Sequence, residues 1–171
     1  MSRMTTFLLV LFIGTLLSTS IYAASKRQAD AWNYYHFDGS AFVPGPAGEG
    51  TAFVAVREKV RPVVLTAQTE QLEPTALPDD SGVIAGICYT QSSGGKLGDS
   101  SRFRPYPRVP LQVFSAGKQL VTIQTDDNGY FVVVLPAGIY SVGSGSFTAD
   151  ITVERGITTL APLRVGKRMV D

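Results

Sequence analysis

The chain has 171 residues, of which 44% are hydrophobic and 17% charged, a composition that supports a buried core and excludes a wholly disordered polymer. Its formal net charge is +1, and Arg3 is the sole charged residue of positions 1 to 23, so the rest of the chain is balanced. No overall field draws it to nucleic acid or to an anionic surface.

Arg3 precedes the apolar run Phe7 to Leu17, and a polar, small-residue segment, Ser18 to Ala24, follows it. This is the layout of a secretory signal: the run is about half the roughly 20 residues that a membrane-spanning helix needs, and Ile21 with Ala23 forms a cleavage pair. Cleavage after Ala23 is expected, leaving no membrane span and placing the protein in the periplasm, at the cell surface or outside the cell. A retained anchor helix is the rival reading, which the polar Ser18 to Ser20 stretch would interrupt.

Residues 24–68 predict an N-terminal β appendage. Lys26 to Trp32 suits a short helical lead-in. Tyr34 to Phe37 and Ser40 to Val43 flank Asp38-Gly39, a strong hairpin signal. A second pair, Thr51 to Arg57 and Pro62 to Ala67, completes a small β-meander or hairpin unit too small to stand alone. Residues 69–81, acidic and proline-bearing, read as a linker.

Residues 82–171 predict the main body. Seven short runs alternate apolar with polar residues at a period of two: Val83 to Tyr89, Leu111 to Ser115, Gln119 to Thr125, Phe131 to Leu135, Tyr140 to Val142, Phe147 to Val153 and Thr158 to Val165. β-Branched and aromatic residues dominate them, which favours strand over helix. Ser115 to Lys118 and Asp126 to Gly129 have the chemistry of hairpin loops, and Pro136 to Gly138 and Glu154 to Gly156 make further reversals. The expectation is an all-β, Ig-like sandwich of seven strands. The longest interruption, Gln91 to Pro110, is expected to be a loop.

Gly82-Val-Ile-Ala-Gly-Ile, Val109-Pro-Leu-Gln-Val-Phe, Thr125-Asp-Asp-Asn-Gly-Tyr-Phe and Leu135-Pro-Ala-Gly-Ile-Tyr-Ser-Val together resemble the carboxypeptidase regulatory-like family. The resemblance covers about the C-terminal half. It implies a transthyretin-like, prealbumin-type seven-stranded sandwich of the kind found as a non-catalytic module on secreted, periplasmic or surface proteins. The insert between positions 91 and 108 departs from that pattern.

Reactive chemistry is hard to assemble from this chain. His36 is its one imidazole and lies in an aromatic strand, no Gly-x-Ser-x-Gly elbow accompanies it, and a serine nucleophile needs such a base. Asp126-Asp-Asn-Gly129 resembles a calcium loop superficially, yet the twelfth position from Asp126 is Ala137 rather than Glu, so no metal is expected. Gly143-Ser-Gly-Ser146 lacks the lysine and helix of a phosphate loop. Cys88, the single cysteine, reads as a small core residue. The chain is therefore expected to be no enzyme and to need no cofactor.

Two segments carry candidate contacts. Trp32, Tyr34, Tyr35 and Phe37 form an aromatic cluster that either stacks on a partner or a sugar ring or is covered where the appendage meets the sandwich. Arg102, Phe103, Arg104, Tyr106 and Arg108 concentrate cations and rings in the insert; they either meet a ligand or line a solvated loop. An envelope or surface protein is the expected partner and a glycan the second candidate; oligomeric state is not readable.

Overall fold

The structure is a computed structural model that describes residues 31–69, 71–92 and 103–168. The expected signal at 1–23, most of the helical lead-in, and Arg102 lie outside the described residues. Among the described residues every regular element is a strand, and no helix is long and apolar enough to cross a membrane.

The first sheet comprises β1 (Asn33–Phe37), β2 (Phe42–Pro44), β3 (Phe53–Val56) and β4 (Val63–Leu65). The β1–β2 turn forms where expected: Asp38 Oδ1 accepts the Ser40 and Ala41 N–H groups at 2.8 and 2.9 Å, and Gly39 takes a φ of 103°. The unit is nevertheless not a meander, because its order is β2-β1-β3-β4. Pro44 ends β2 without an N–H to continue a ladder, and the following loop returns the chain to the other side of β1. Residues 75–77 then run beside 59–61, with Arg61 N–H donating to Thr75 O at 2.8 Å and Leu77 N–H to Lys59 O at 2.9 Å.

The second sheet is built on β5 (Ser81–Ser92). β12 (Thr158–Arg168) lies parallel on one side. On the other side β9 (Tyr130–Pro136) pairs with Ser81 to Ile87, and β6 (Phe103–Pro105) continues its line by pairing with Tyr89 to Gln91. The third sheet has the order β11 (Phe147–Val153), β10 (Gly138–Ser144), β7 (Pro110–Ser115), β8 (Lys118–Gln124).

Alternation along the strands of the second sheet decides what each face covers. Ile84 and Cys88 of β5, Phe131, Val133 and Leu135 of β9, and Leu163 of β12 meet Leu111, Val113, Val142 and Ile151 of the third sheet in one apolar core. Their neighbours Ala85, Ile87, Tyr89 and Tyr130 point the other way, onto Phe37, Ala52 and Val54 of the first sheet. The second sheet is thus buried on both faces, which explains why Val83 to Cys88 is an unbroken apolar run. Tyr130 ties the layers together by donating its phenol to Ala52 O at 2.8 Å.

Each of the seven expected runs is a strand, but four connections differ from expectation. The 91–110 segment is not loop throughout: β5 runs on to Ser92, and β6 is an eighth strand in this half, held there because Phe103 packs on Phe37 and Tyr89 at ring separations of 4.8 and 6.1 Å. The Asp126–Gly129 turn is not a hairpin loop, since β8 belongs to the third sheet and β9 to the second. Pro136 to Gly138 and Glu154 to Gly156 likewise carry the chain between sheets, and after the latter β12 pairs in parallel with β5.

Candidate functional site

The Thr125 to Tyr130 motif is a knot of hydrogen bonds. Asp126 Oδ1 accepts the Asn128 and Tyr130 N–H groups, each at 2.8 Å, which closes the turn. Gly129 has a φ of 78°, and a Cβ there would stand 2.9 Å from Cys88 O, so only glycine lets the turn lie against β5. Thr125, buried, accepts the Val109 N–H at 2.9 Å and donates to Tyr106 O at 3.0 Å, binding the end of the insert to the turn. The oxygens that give the motif its calcium-like sequence are therefore engaged in backbone geometry, apart from Asp127 and the Asn128 amide. No group of three or more metal-ligating side chains occurs among the described residues.

Beside this knot lies a cavity of about 270 Å³. Phe37, Ile87, Phe103 and Tyr130 make its floor, brought together from the first sheet, β5, the insert and β9. Thr51, Asp127 and Asn128 stand at its mouth. Arg108 Nε donates to Asp127 Oδ1 at 2.8 Å, with both side chains largely exposed. That bond holds the Asp127 carboxyl below the usual carboxylate range and keeps Arg108 cationic. Asp127 Oδ2, the Asn128 amide and the Thr51 hydroxyl have no hydrogen-bond partner among the described residues.

The cavity unites part of each expected contact segment and disperses the rest. Phe37 is only 4% exposed and, with Phe103, is a floor residue rather than a surface contact. Arg104 and Tyr106 are exposed outside the cavity. Trp32, Tyr34 and Tyr35 are half-buried at the first sheet, with Tyr34 set edge-on to Phe53 at 5.7 Å. Ile87, Tyr130, Asp127 and Asn128 are not among the expected contacts. In the sequence, Asp127 and Asn128 are legible only as turn formers.

A second feature is the free edge of the third sheet. Its β11 side is fastened to β12 by Thr159 Oγ1 donating to Thr152 O at 3.0 Å, whereas nothing among the described residues pairs with the outer side of β8. β8 is exposed along its length except for Ile123, and Leu120 and Val121 are 50% and 38% exposed. Thr125 N–H donates to Val109 O at 3.1 Å, which makes that pair a hydrogen-bonded position. Alternation then turns the backbone groups of Gln124 and Thr122 outward. A register shift opposite Val113 and Phe114 places a bulge at Leu120 and ends this open stretch.

No family model matches the chain, and no curated protein is significantly similar to it. Among solved structures a minor pilin of the Gram-positive pathogen Streptococcus agalactiae is similar, with a TM-score of 0.41 and 12% identity, covering 76% of this chain and 66% of the pilin. The chain thus spans just under two thirds of that pilin's length, and a likeness at this level makes no statement of shared function.

Proposed function

We propose that the chain is an exported, non-catalytic module of the cell envelope or surface that works by binding another protein. In this reading residues 82–171 are a prealbumin-like sandwich of the carboxypeptidase regulatory-like kind, and the first sheet stiffens it. The observation that carries the reading is the β8 edge: a foreign strand can join the outward N–H and C=O groups of Thr122 and Gln124 while covering Leu120 and Val121. The bulge limits that ladder, so the contact is a reversible one.

A photo-crosslinking residue placed at Leu120 in producing cells tests this. Adducts with another protein should form there and disappear with Thr122→Pro, which removes one outward N–H. The same group at Ile139, 70% exposed on a sheet face, should stay bare. A blank result at Leu120, or equal labelling at both sites, would contradict the reading. Carbohydrate binding is the competing role, with half-buried Trp32 and Tyr35 as its candidate ring surfaces; a glycan array separates the two.

A further inference from the structure

We infer that the occupant of the β8 edge is a second copy of this chain, joined antiparallel about a two-fold axis through Ile123. This rests on the β8 reading and names its partner.

The open stretch is short and matches itself. Thr122 and Gln124 turn their backbone groups outward on either side of Ile123, whose own groups are taken by Leu111 of β7. Opposite residues of antiparallel strands exchange both bonds, so an axis at Ile123 sets Thr122 of each copy against Gln124 of the other and uses every outward group of the stretch. An axis one residue earlier would satisfy Thr122 and leave Gln124 against the bulge at Leu120. A longer foreign strand would overrun the bulge at one end and the Asp126–Gly129 turn at the other. A second copy stops at the same two places, because the symmetry gives both strands the same ends.

Charge sets the direction. Lys118 is the only charged residue of β8 and stands at its first position, while Asp126 lies just past its last. Neither forms an ion pair among the described residues. Antiparallel pairing brings the Lys118 end of each strand beside the Asp126 end of the other, whereas parallel pairing would set lysine against lysine. No charge stands at the axis, where a lysine would guard the edge against self-pairing.

The apolar side chains agree with this register. Ile123 meets its own copy across the axis at a non-hydrogen-bonded pair, the closer kind, with Leu111 behind each. Leu120 and Val121, 50% and 38% exposed in the single chain, then border the second copy. Other edges offer less. β2 and β4 have three residues each. In β12, Val83 N–H donates to Ile157 O at 2.9 Å, so Thr159 and Ala161 also face β5 and Pro162 faces outward, where it has no N–H to give. So small an interface makes the dimer transient, with self-association in the micromolar to millimolar range.

The test is amide hydrogen exchange and sedimentation of the protein purified from producing cells, at rising concentration, with the photo-crosslinking residue at Leu120 reading the register. Thr122 and Gln124 should gain protection toward millimolar concentration while Ile123 stays as it was, and sedimentation should show a dimer. Adducts at Leu120 should have twice the chain's mass and map to the 124–128 segment of the second copy. Thr122→Pro should abolish the dimer and Lys118→Glu should weaken it several-fold, each with Ile123 protection unchanged. A protein that stays monomeric at millimolar concentration, or a dimer undiminished by Thr122→Pro, would overturn the assignment. Adducts that map to the 118–121 segment of the second copy would overturn the antiparallel register. Adducts with a different protein and no dimer would overturn the second copy and keep the β8 edge, whereas no adduct of either kind would end both.

Discussion

Gly86 sits in the middle of β5, paired with Ala161 of β12 on one side and with Phe131 of β9 on the other. A Cβ at this position would stand 2.0 Å from Ala161 O and 2.6 Å from the Phe131 ring. The first overlap is with backbone that the parallel ladder holds in place, so rotation of a side chain cannot relieve it. Overpacking of a core costs about 1–3 kcal/mol even where side chains can give; with a fixed carbonyl in the way, Gly86→Ala should cost at least about 3 kcal/mol, near the diagnostic end for single substitutions. With a urea m-value of roughly 2 kcal/mol per molar, the unfolding midpoint falls by about 1.5 M. Gly48 is the control, since nothing lies within 4 Å of a Cβ there and its φ is not positive; Gly48→Ala should move stability by less than about 0.5 kcal/mol. A Gly86→Ala protein as stable as the Gly48→Ala protein would refute the close approach of β12 and β9 to β5 at this position.

Three further outcomes follow from particular atoms. Thr125→Val keeps the shape but strands the buried Val109 N–H, and should lower stability by about 1–3 kcal/mol in denaturant titration. Ala116 and Gly117 have φ values of 49° and 77°, a turn that favours Asn-Gly, so Ala116→Asn should raise stability by roughly 0.5–1 kcal/mol. Burial pushes the Cys88 thiol from 9.0 up to about 12 and the Tyr130 phenol from 10.0 up to about 12. The folded chain keeps protons that the unfolded chain gives up, so this contribution is complete below pH 9 and is lost as pH rises toward 12, by about 1.4 kcal/mol per pH unit for each group. Cys88→Ala should remove the loss between pH 9 and 10, read by alkaline unfolding curves.

The strands were legible because period-two alternation is a local property. Leu111 and Val113, or Phe131, Val133 and Leu135, face the core as their spacing requires. Sheet membership was not, because turn chemistry specifies a bend and not the partner of the next strand. Asp126 and Gly129 make a tight turn whichever sheet receives β9. Val83 to Cys88 carried a further signal in its unbroken apolar run, which marks a strand covered on both faces. The aromatic segment showed two faces but not which was inward; Phe37 is buried because β5 and Phe103 cover it. The cavity was invisible for the same reason, its floor being drawn from four separate segments. Val121 and Ile123 do alternate as expected, opposite Val113 and Leu111, yet only Ile123 packs on the core, while Val121 is 38% exposed.

The most direct measurement is residue-resolved amide hydrogen exchange on the isolated protein at low concentration. Ile84 to Cys88 should exchange only through global unfolding, Ile123 should be protected by β7, and Thr122 and Gln124 on either side of it should exchange orders of magnitude faster. Equal protection of Thr122, Ile123 and Gln124 would mean that the β8 edge is closed, and the proposed mode of binding would fail with it.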